Sequence, residues 1–301
     1  MKVKEIMFIF SHFLLLPIFS QNIQIYHCMV DLQKPQQQVM NQFGIKEAIL
    51  LDARYIDPDK TGKIDSLSLV KAINQYFPDK YGNGIGLLDL EDENYEALKS
   101  DNGKNITFEN GLSQMIRLVT IAKKERPNVR WSLYNIPFST YYDKTENWFQ
   151  QAKRLKSLFE IIDILTPALY DFYPDTTRFT DDRTYVVENL KIALAAGKQY
   201  NKPVMPYIWH RWHDGNLKDG LKLIDAAEFK KHISLICKTN VDGVQVSGLI
   251  WFGAQSYFHK VKPELIGLDL KKVGGNEGQL KETILKRYAR LIGEAIKAGK
   301  T

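Results

Sequence analysis

Asp89 and Glu91 stand one residue apart at the end of an apolar run, Gly86-Leu87-Leu88-Asp89-Leu90-Glu91. On a strand, residues two apart point to the same face. The two carboxyl groups would then project side by side, roughly 7 Å apart. Two carboxylates in one environment do not both ionise freely, and one pKa rises. A protonated carboxyl beside an ionised one is the equipment for glycoside cleavage: one donates a proton to the leaving oxygen, and the other stabilises or attacks the sugar. Glu is a poor helix cap. The apolar strand leading into Glu91 argues for partial burial, and a buried carboxylate needs a partner or a purpose.

Other apolar runs end in a similar way. They close on Asp52-Ala53-Arg54-Tyr55, Tyr134-Asn135, Tyr170-Asp171, Tyr207-Ile208-Trp209-His210-Arg211-Trp212 and Trp251-Phe252. Singly, a Tyr or Trp there is explained by packing and an Asp by capping. Together they suit a sugar site, where aromatic faces stack on C–H surfaces and carboxylates and hydroxyls bind the rest.

The elements that must position these residues read as alternating strands and helices. Apolar strand-length runs cover 23–30, 47–51, 85–89, 129–136, 161–170, 203–209 and 244–252. Helical spacing marks 66–76, 108–125, 148–159, 185–199, 225–238 and 279–297, the fifth opened by an Asp225-x-x-Glu228 box. Near-continuous apolar strands separated by helices mean a parallel sheet covered on both faces. The expectation is an α/β fold, a (β/α) TIM-type barrel of seven or eight strands, with an open doubly wound sheet second. No Gly-x-Gly-x-x-Gly follows an early strand, which disfavours a dinucleotide-type sheet. In a barrel the site lies at the C-terminal strand ends, where these polar residues fall.

The 301 residues, 44% hydrophobic, suffice for one large core. Lys2 and Lys4, an apolar stretch over 6–19 and Ser20 read as a secretory signal over 1–20, followed by a single barrel domain over 21–301. The apolar part is too short for a membrane span and is broken by Ser11, His12 and Pro17. The expected location is secreted or periplasmic, with no membrane contact after cleavage. Export would permit a disulfide, but spacing does not decide whether Cys28 and Cys237 meet. The formal charge of +6 suits an acidic polysaccharide as well as ordinary solubility, and no arginine-rich block suggests nucleic acid. The run Asp57 to Asp65 resembles the start of an EF-hand loop, but Ser68 stands at its twelfth position, where a Glu completes the shell. His210 and His213 lack an evident third ligand, so substrate contact or packing is favoured. Asn105-Ile106-Thr107 is a glycosylation sequon. No phosphate loop or nucleophile elbow is present. No metal and no cofactor is expected.

Four ordered segments add a resemblance to the hyaluronidases, glycoside hydrolase family 56. Leu88-Asp89-Leu90-Glu91 resembles the family's Asp-x-Glu motif, Pro167-Ala168-Leu169-Tyr170 its Pro-x-Ile-Tyr segment, and Pro203-Val204-Met205-Pro206-Tyr207 its Pro-Val-x-x-Tyr segment. Ser247 to Gly253 is similar to its Gly-x-x-x-Trp-Gly segment. The similarity covers 84–253 and departs at Leu90, where the family carries Trp, and at Asn94, near which it carries Arg. It implies a seven-stranded barrel and a polysaccharide or glycosaminoglycan substrate. It also implies a substrate-assisted mechanism in which the sugar's own 2-acetamido group attacks its anomeric carbon. Glu91 would then be the acid and base, Asp89 would orient the acetamido nitrogen, and Tyr207 would hydrogen-bond its oxygen. Tyr170 and Trp251 would shape the pocket, and Asp171, Trp209, Tyr134 and Asn135 would complete the substrate-binding set. Two alternatives stay open: a retaining glycosidase with Asp171 or Asp52 as nucleophile, and a non-catalytic glycan-binding barrel.

Overall fold

A computed structural model describes residues 23–29, 32–100, 106–142, 144–253 and 255–299. The expected signal over 1–20 and Asn105 of the sequon lie outside them. Among the described residues, seven short strands form two sheets: β1 (Gln24–His27), β2 (Lys46–Glu47), β3 (Ile49–Asp52), β4 (Gly84–Asp89), β5 (Val129–Leu133), β6 (Tyr207–Trp209) and β7 (Gly248–Phe252). One sheet has the order β2-β1-β7-β6 and the other β3-β4-β5, and every ladder is parallel.

Two links connect the sheets into the expected barrel. β2 and β3 are one run of chain that changes partners at Ala48, whose amide donates to the His27 carbonyl at 2.8 Å. The other link is the segment 163–169. Asp163 N donates to Trp131 O and Thr166 N to Ile136 O, both at 2.8 Å. On its far side Leu165 N donates to Pro203 O, Tyr207 N to Pro167 O and Leu169 N to Tyr207 O. The expected strand over 161–170 is therefore an irregular crossing. Pro167 has no N–H for a ladder, and side chains replace the missing rungs. Ser132 Oγ donates to Ile164 O, Thr166 Oγ1 to Leu133 O, and Asn135 Oδ1 accepts from Ala168 N.

Alternation splits the core in two. Inside the ring lie Cys28, Ile85, Leu87, Ile164, Met205, Tyr207 and Ile250. Leu51, Leu88, Trp131, Ile208, Leu249 and Trp251 point outward against the helices. Gly86 on β4 is fixed by Trp131, since a Cβ there would sit 2.2 Å from the indole ring.

The helices Ser66–Tyr76 and Phe108–Glu125 match their expected spans, capped by Asp65 and Thr107. The expected helix over 148–159 is three short ones, Glu146–Phe149, Gln151–Arg154 and Lys156–Ile161. The Gln151 side chain is spent on the Phe138 backbone, accepting from its N–H and donating to its carbonyl. The helix Ala226–Lys238 lacks the expected capping box. Asp225 makes no side-chain cap bond, and its carboxylate pairs with Lys272 at 3.0 Å. Helices at Lys34–Gln42, Ala53–Ile56, Glu93–Ser100, Gln255–Val261 and Glu264–Val273 fall outside the spans that periodicity marks.

Cys28 and Cys237 are both buried, one inside the ring and one on an outer helix, and they form no disulfide. The EF-hand-like run is a polar turn. Asp57 accepts from Thr61 N and Gly62 N, and Asp65 caps the following helix. None of the described helices is long and apolar enough to cross a membrane.

Candidate active site

Asp89 ends β4 on its inward face, in line with Ile85 and Leu87. The chain leaves the strand there. Leu90 turns into the outer core and Glu91 reaches the exposed mouth. Both carboxyl groups line one cavity of about 290 Å³ at the C-terminal ends of the strands. Its walls carry Tyr134, Tyr170, Tyr207, Trp209 and Phe252.

The two acids differ in setting. Burial pushes the Asp89 pKa up to about 7, and the nearby charges of Glu91 and Asp52 add to the shift. Glu91 is also raised, first by partial desolvation. Lys99 pulls it down, while Glu96 and Asp214 push it up. Asp52 lies beside Asp89 in the β3–β4 register. Its carboxylate is held by Arg54 through Nε and Nη2 at 2.9 and 2.7 Å, and it also caps Arg54 N.

The aromatic wall is built from inward positions of neighbouring strands. Tyr134 and Tyr207 meet edge to face with centroids 5.1 Å apart, and Tyr170 and Trp209 do so at 5.6 Å. The phenols of Tyr134 and Tyr170 lie close enough to influence each other's ionisation. Burial holds all three phenols well above their usual range, so they are neutral donors. Among the described residues, two buried donors in this wall have no hydrogen-bond partner, the Tyr207 hydroxyl and Trp209 Nε1. A buried donor left unmade costs about 1–3 kcal/mol, and native proteins keep few of them without a functional reason.

Of the residues singled out from sequence, Asp89, Glu91, Tyr134, Tyr170, Tyr207 and Trp209 come together here. Three do not. Trp251 is fully buried outside the ring, and its Nε1 donates to His210 Nδ1 at 2.9 Å. The pairing of Tyr207 with Ile250 and of Trp209 with Phe252 puts Ile250 and Phe252 inward and Trp251 outward. Phe252 takes the wall position instead. Asp171 also faces outward, 2.6 Å from His232 Nδ1 on the helix Ala226–Lys238. Asn135, in a left-handed turn at φ 51°, braces the backbone, accepting from Ser139 N and Ala168 N and donating to Tyr95 Oη.

His213, Asp214 and Phe258 also line the cavity. Of the pair at 210 and 213, His210 packs in the core and His213 reaches the site. Phe252 was legible by alternation along β7. Asp214 and Phe258 carry no sequence signal, because a loop and a later helix bring them in. Among the described residues no group of three or more His, Cys, Asp or Glu is placed to hold a metal ion.

No family model matches the sequence, and no curated protein is significantly similar to it. Solved structures do match. A crystal structure of bee venom hyaluronidase superimposes with a TM-score of 0.63 at 16% identity, covering 88% of this chain and 100% of that one. Bee venom hyaluronidase in complex with a hyaluronic acid tetramer gives 0.61 at 16% identity, over 88% and 99%. At this identity the likeness establishes a shared fold: the chain is a parallel α/β barrel of the kind seen in bee venom hyaluronidase.

Proposed function

We propose that the chain is a glycoside hydrolase that cleaves a glycan at an N-acetylhexosamine by a substrate-assisted, retaining route. The observation that carries this reading is the cavity itself. It joins two carboxyl groups of raised pKa to a buried, unpartnered Tyr207 hydroxyl at the catalytic end of a hyaluronidase-like barrel.

In the first step the acetamido oxygen of the bound sugar attacks its own anomeric carbon as Glu91 protonates the leaving oxygen. Asp89 accepts a hydrogen bond from the acetamido N–H and offsets the positive charge that develops there. Tyr207 donates to the acetamido oxygen and aligns it. In the second step the Glu91 carboxylate takes a proton from water, which opens the cyclic intermediate with retention. Tyr134, Tyr170, Trp209 and Phe252 hold the sugar ring, and Trp209 Nε1 supplies a further donor. The reading with an enzyme nucleophile is weakened, because Asp171 faces away from the cavity and Asp52 is clamped by Arg54. The hyaluronic acid bound to the bee enzyme makes glycosaminoglycans the first substrates to try. The leader-like residues 1–20 suit a secreted or periplasmic enzyme.

The test is wild type against Glu91→Gln on hyaluronan, chondroitin, chitin-type and other N-acetylated oligosaccharides, with products read by mass. Loss of the proton donor should lower turnover by about 10²–10⁴-fold while folding and binding persist. Retained hydrolysis would remove Glu91 from the acid role. Binding without products in both proteins would favour a non-catalytic barrel, and a trapped glycosyl-enzyme would favour an enzyme nucleophile.

A further inference from the structure

The rings of the cavity wall continue beyond it. The His213 ring stands 6.0 Å from Tyr170 and stacks on Phe172 at 4.1 Å and 19°. Phe172 touches Tyr141 at 4.8 Å and Tyr173 at 6.3 Å, and Tyr141 touches Tyr142 at 4.7 Å. At the outer end the hydroxyls of Tyr142 and Tyr173 meet at 2.5 Å, and Tyr142 is 61% exposed. These residues sit on the loops that follow β5, the 163–169 crossing and β6, the same face on which the cavity opens.

Packing alone does not require this arrangement. Ring contacts on the inner side of Tyr142 restrain it, yet most of its surface stays in water. Ordering costs side-chain entropy, and here burial returns little of it. A restrained phenol in solvent instead offers a flat apolar face with a polar edge at low entropic cost to a binding partner. The nearby cation Lys144 is already paired with Glu188. The surface therefore offers ring faces and hydroxyls rather than a free ammonium from Lys144.

We propose that Tyr142 and Tyr173 form an outlying sugar subsite, which stacks a pyranose ring of the same glycan whose N-acetylhexosamine unit occupies the cavity. The continuous path of rings fixes the occupant as part of the substrate. The inference rests on the glycoside hydrolase reading and extends it: the preferred substrate is an oligosaccharide long enough to reach from Glu91 to Tyr142, and this contact is insensitive to salt.

The test is binding to the Glu91→Gln protein, read by calorimetry with hyaluronan-type and chitin-type di- and hexasaccharides. Adding Tyr142→Ala and Tyr173→Ala should weaken the hexasaccharide about tenfold, the scale of one lost aromatic contact, and leave the disaccharide unchanged. Tyr142→Phe alone, which keeps the ring, should retain hexasaccharide affinity. Unchanged hexasaccharide binding in the double alanine variant, or equal losses at both lengths, would overturn the subsite. So would a phenylalanine variant as weak as the alanine one. Failure of every saccharide to bind the Glu91→Gln parent would overturn the cavity reading as well, which distinguishes the two.

Discussion

A carboxyl group on the floor of a cavity and one at its mouth hold their protons differently. Asp89 lies on the floor, and burial followed by its acidic neighbours carries its pKa to about 7. A carboxyl whose pKa rises on folding favours the folded state below its unfolded pKa, near 4, and that contribution is lost as the pH climbs through 7. Asp89→Asn removes the buried charge and keeps the shape. Its melting temperature should exceed wild type by roughly 3–8 °C at pH 8 and equal it at pH 4, as thermal melts at the two pH values will show. Tyr207→Phe is expected to split stability from activity. Removing an unpartnered buried hydroxyl leaves stability unchanged or raises it by about 1 kcal/mol. It should also lower kcat/KM on an N-acetylhexosaminide by about 10²–10³-fold if that hydroxyl aligns the acetamido group. A fall in both would mark the hydroxyl as structural. The sequence made most of this residue set legible, because chemistry-bearing side chains at strand ends can be read directly. It misled at Trp251, where only the register with β6 decides which of two adjacent aromatics faces inward. Asn135 and Asp171 lie away from the cavity lining for a related reason: a polar side chain after a strand serves backbone or core as readily as substrate.

Behind the cavity wall, the irregular crossing is tied to a helix by a buried charge cluster. His232 is buried, with Nδ1 2.6 Å from Asp171 Oδ1 and Nε2 2.8 Å from Leu169 O. Both nitrogens face acceptors, so the ring carries both protons. Burial opposes its charge, and Asp171, Asp182 and the Leu169 carbonyl more than restore it, leaving the pKa raised. Asp182 is pushed up to about 8, first by burial and then by the charge of Asp171 and their shared hydrogen bond. Both shifts are upward, so their stabilisation is present at low pH and is lost as the pH rises through the folded pKa values. The wild-type melting temperature should fall between pH 6 and pH 9. Asp182→Asn, whose amide can still donate to Asp171, should flatten that fall and leave the pH 6 value close to wild type; an unchanged slope would show that Asp182 does not titrate there. Elements were legible where periodicity ran long. Ser66–Tyr76 and Phe108–Glu125 show one clear apolar face each. The crossing over 163–169 was not, because an apolar run containing Pro167 reads as a strand until the side chains that replace its rungs are seen. The unexpected helices are short or rich in polar residues, so their faces are set by what they pack against.

Across the molecule, the barrel followed from strand count, and the face on which the cavity opens from the placement of polar strand ends. The layer that steadies that face did not. Arg211, fully buried just after β6, pairs with Asp269 at 2.6 Å, and Asp269 also meets His259 at 2.8 Å. These contacts fasten the loop bearing His213 to the helices Gln255–Val261 and Glu264–Val273, across sequence distances that no local pattern encodes. Ring closure has a further consequence. β1 lies between β2 and β7, and its longer ladder pairs Gln24 with Gly248. A ribosome therefore releases the first strand long before it makes the last. The sheet β3-β4-β5 can assemble early, while Gln24–His27 waits with an open edge until β7 has been made. Open edges invite pairing with other chains, and such distant contacts form slowly. The nascent barrel is most vulnerable to aggregation at the open edge of β1, and a chaperone that shields that strand would raise the yield of closed barrels.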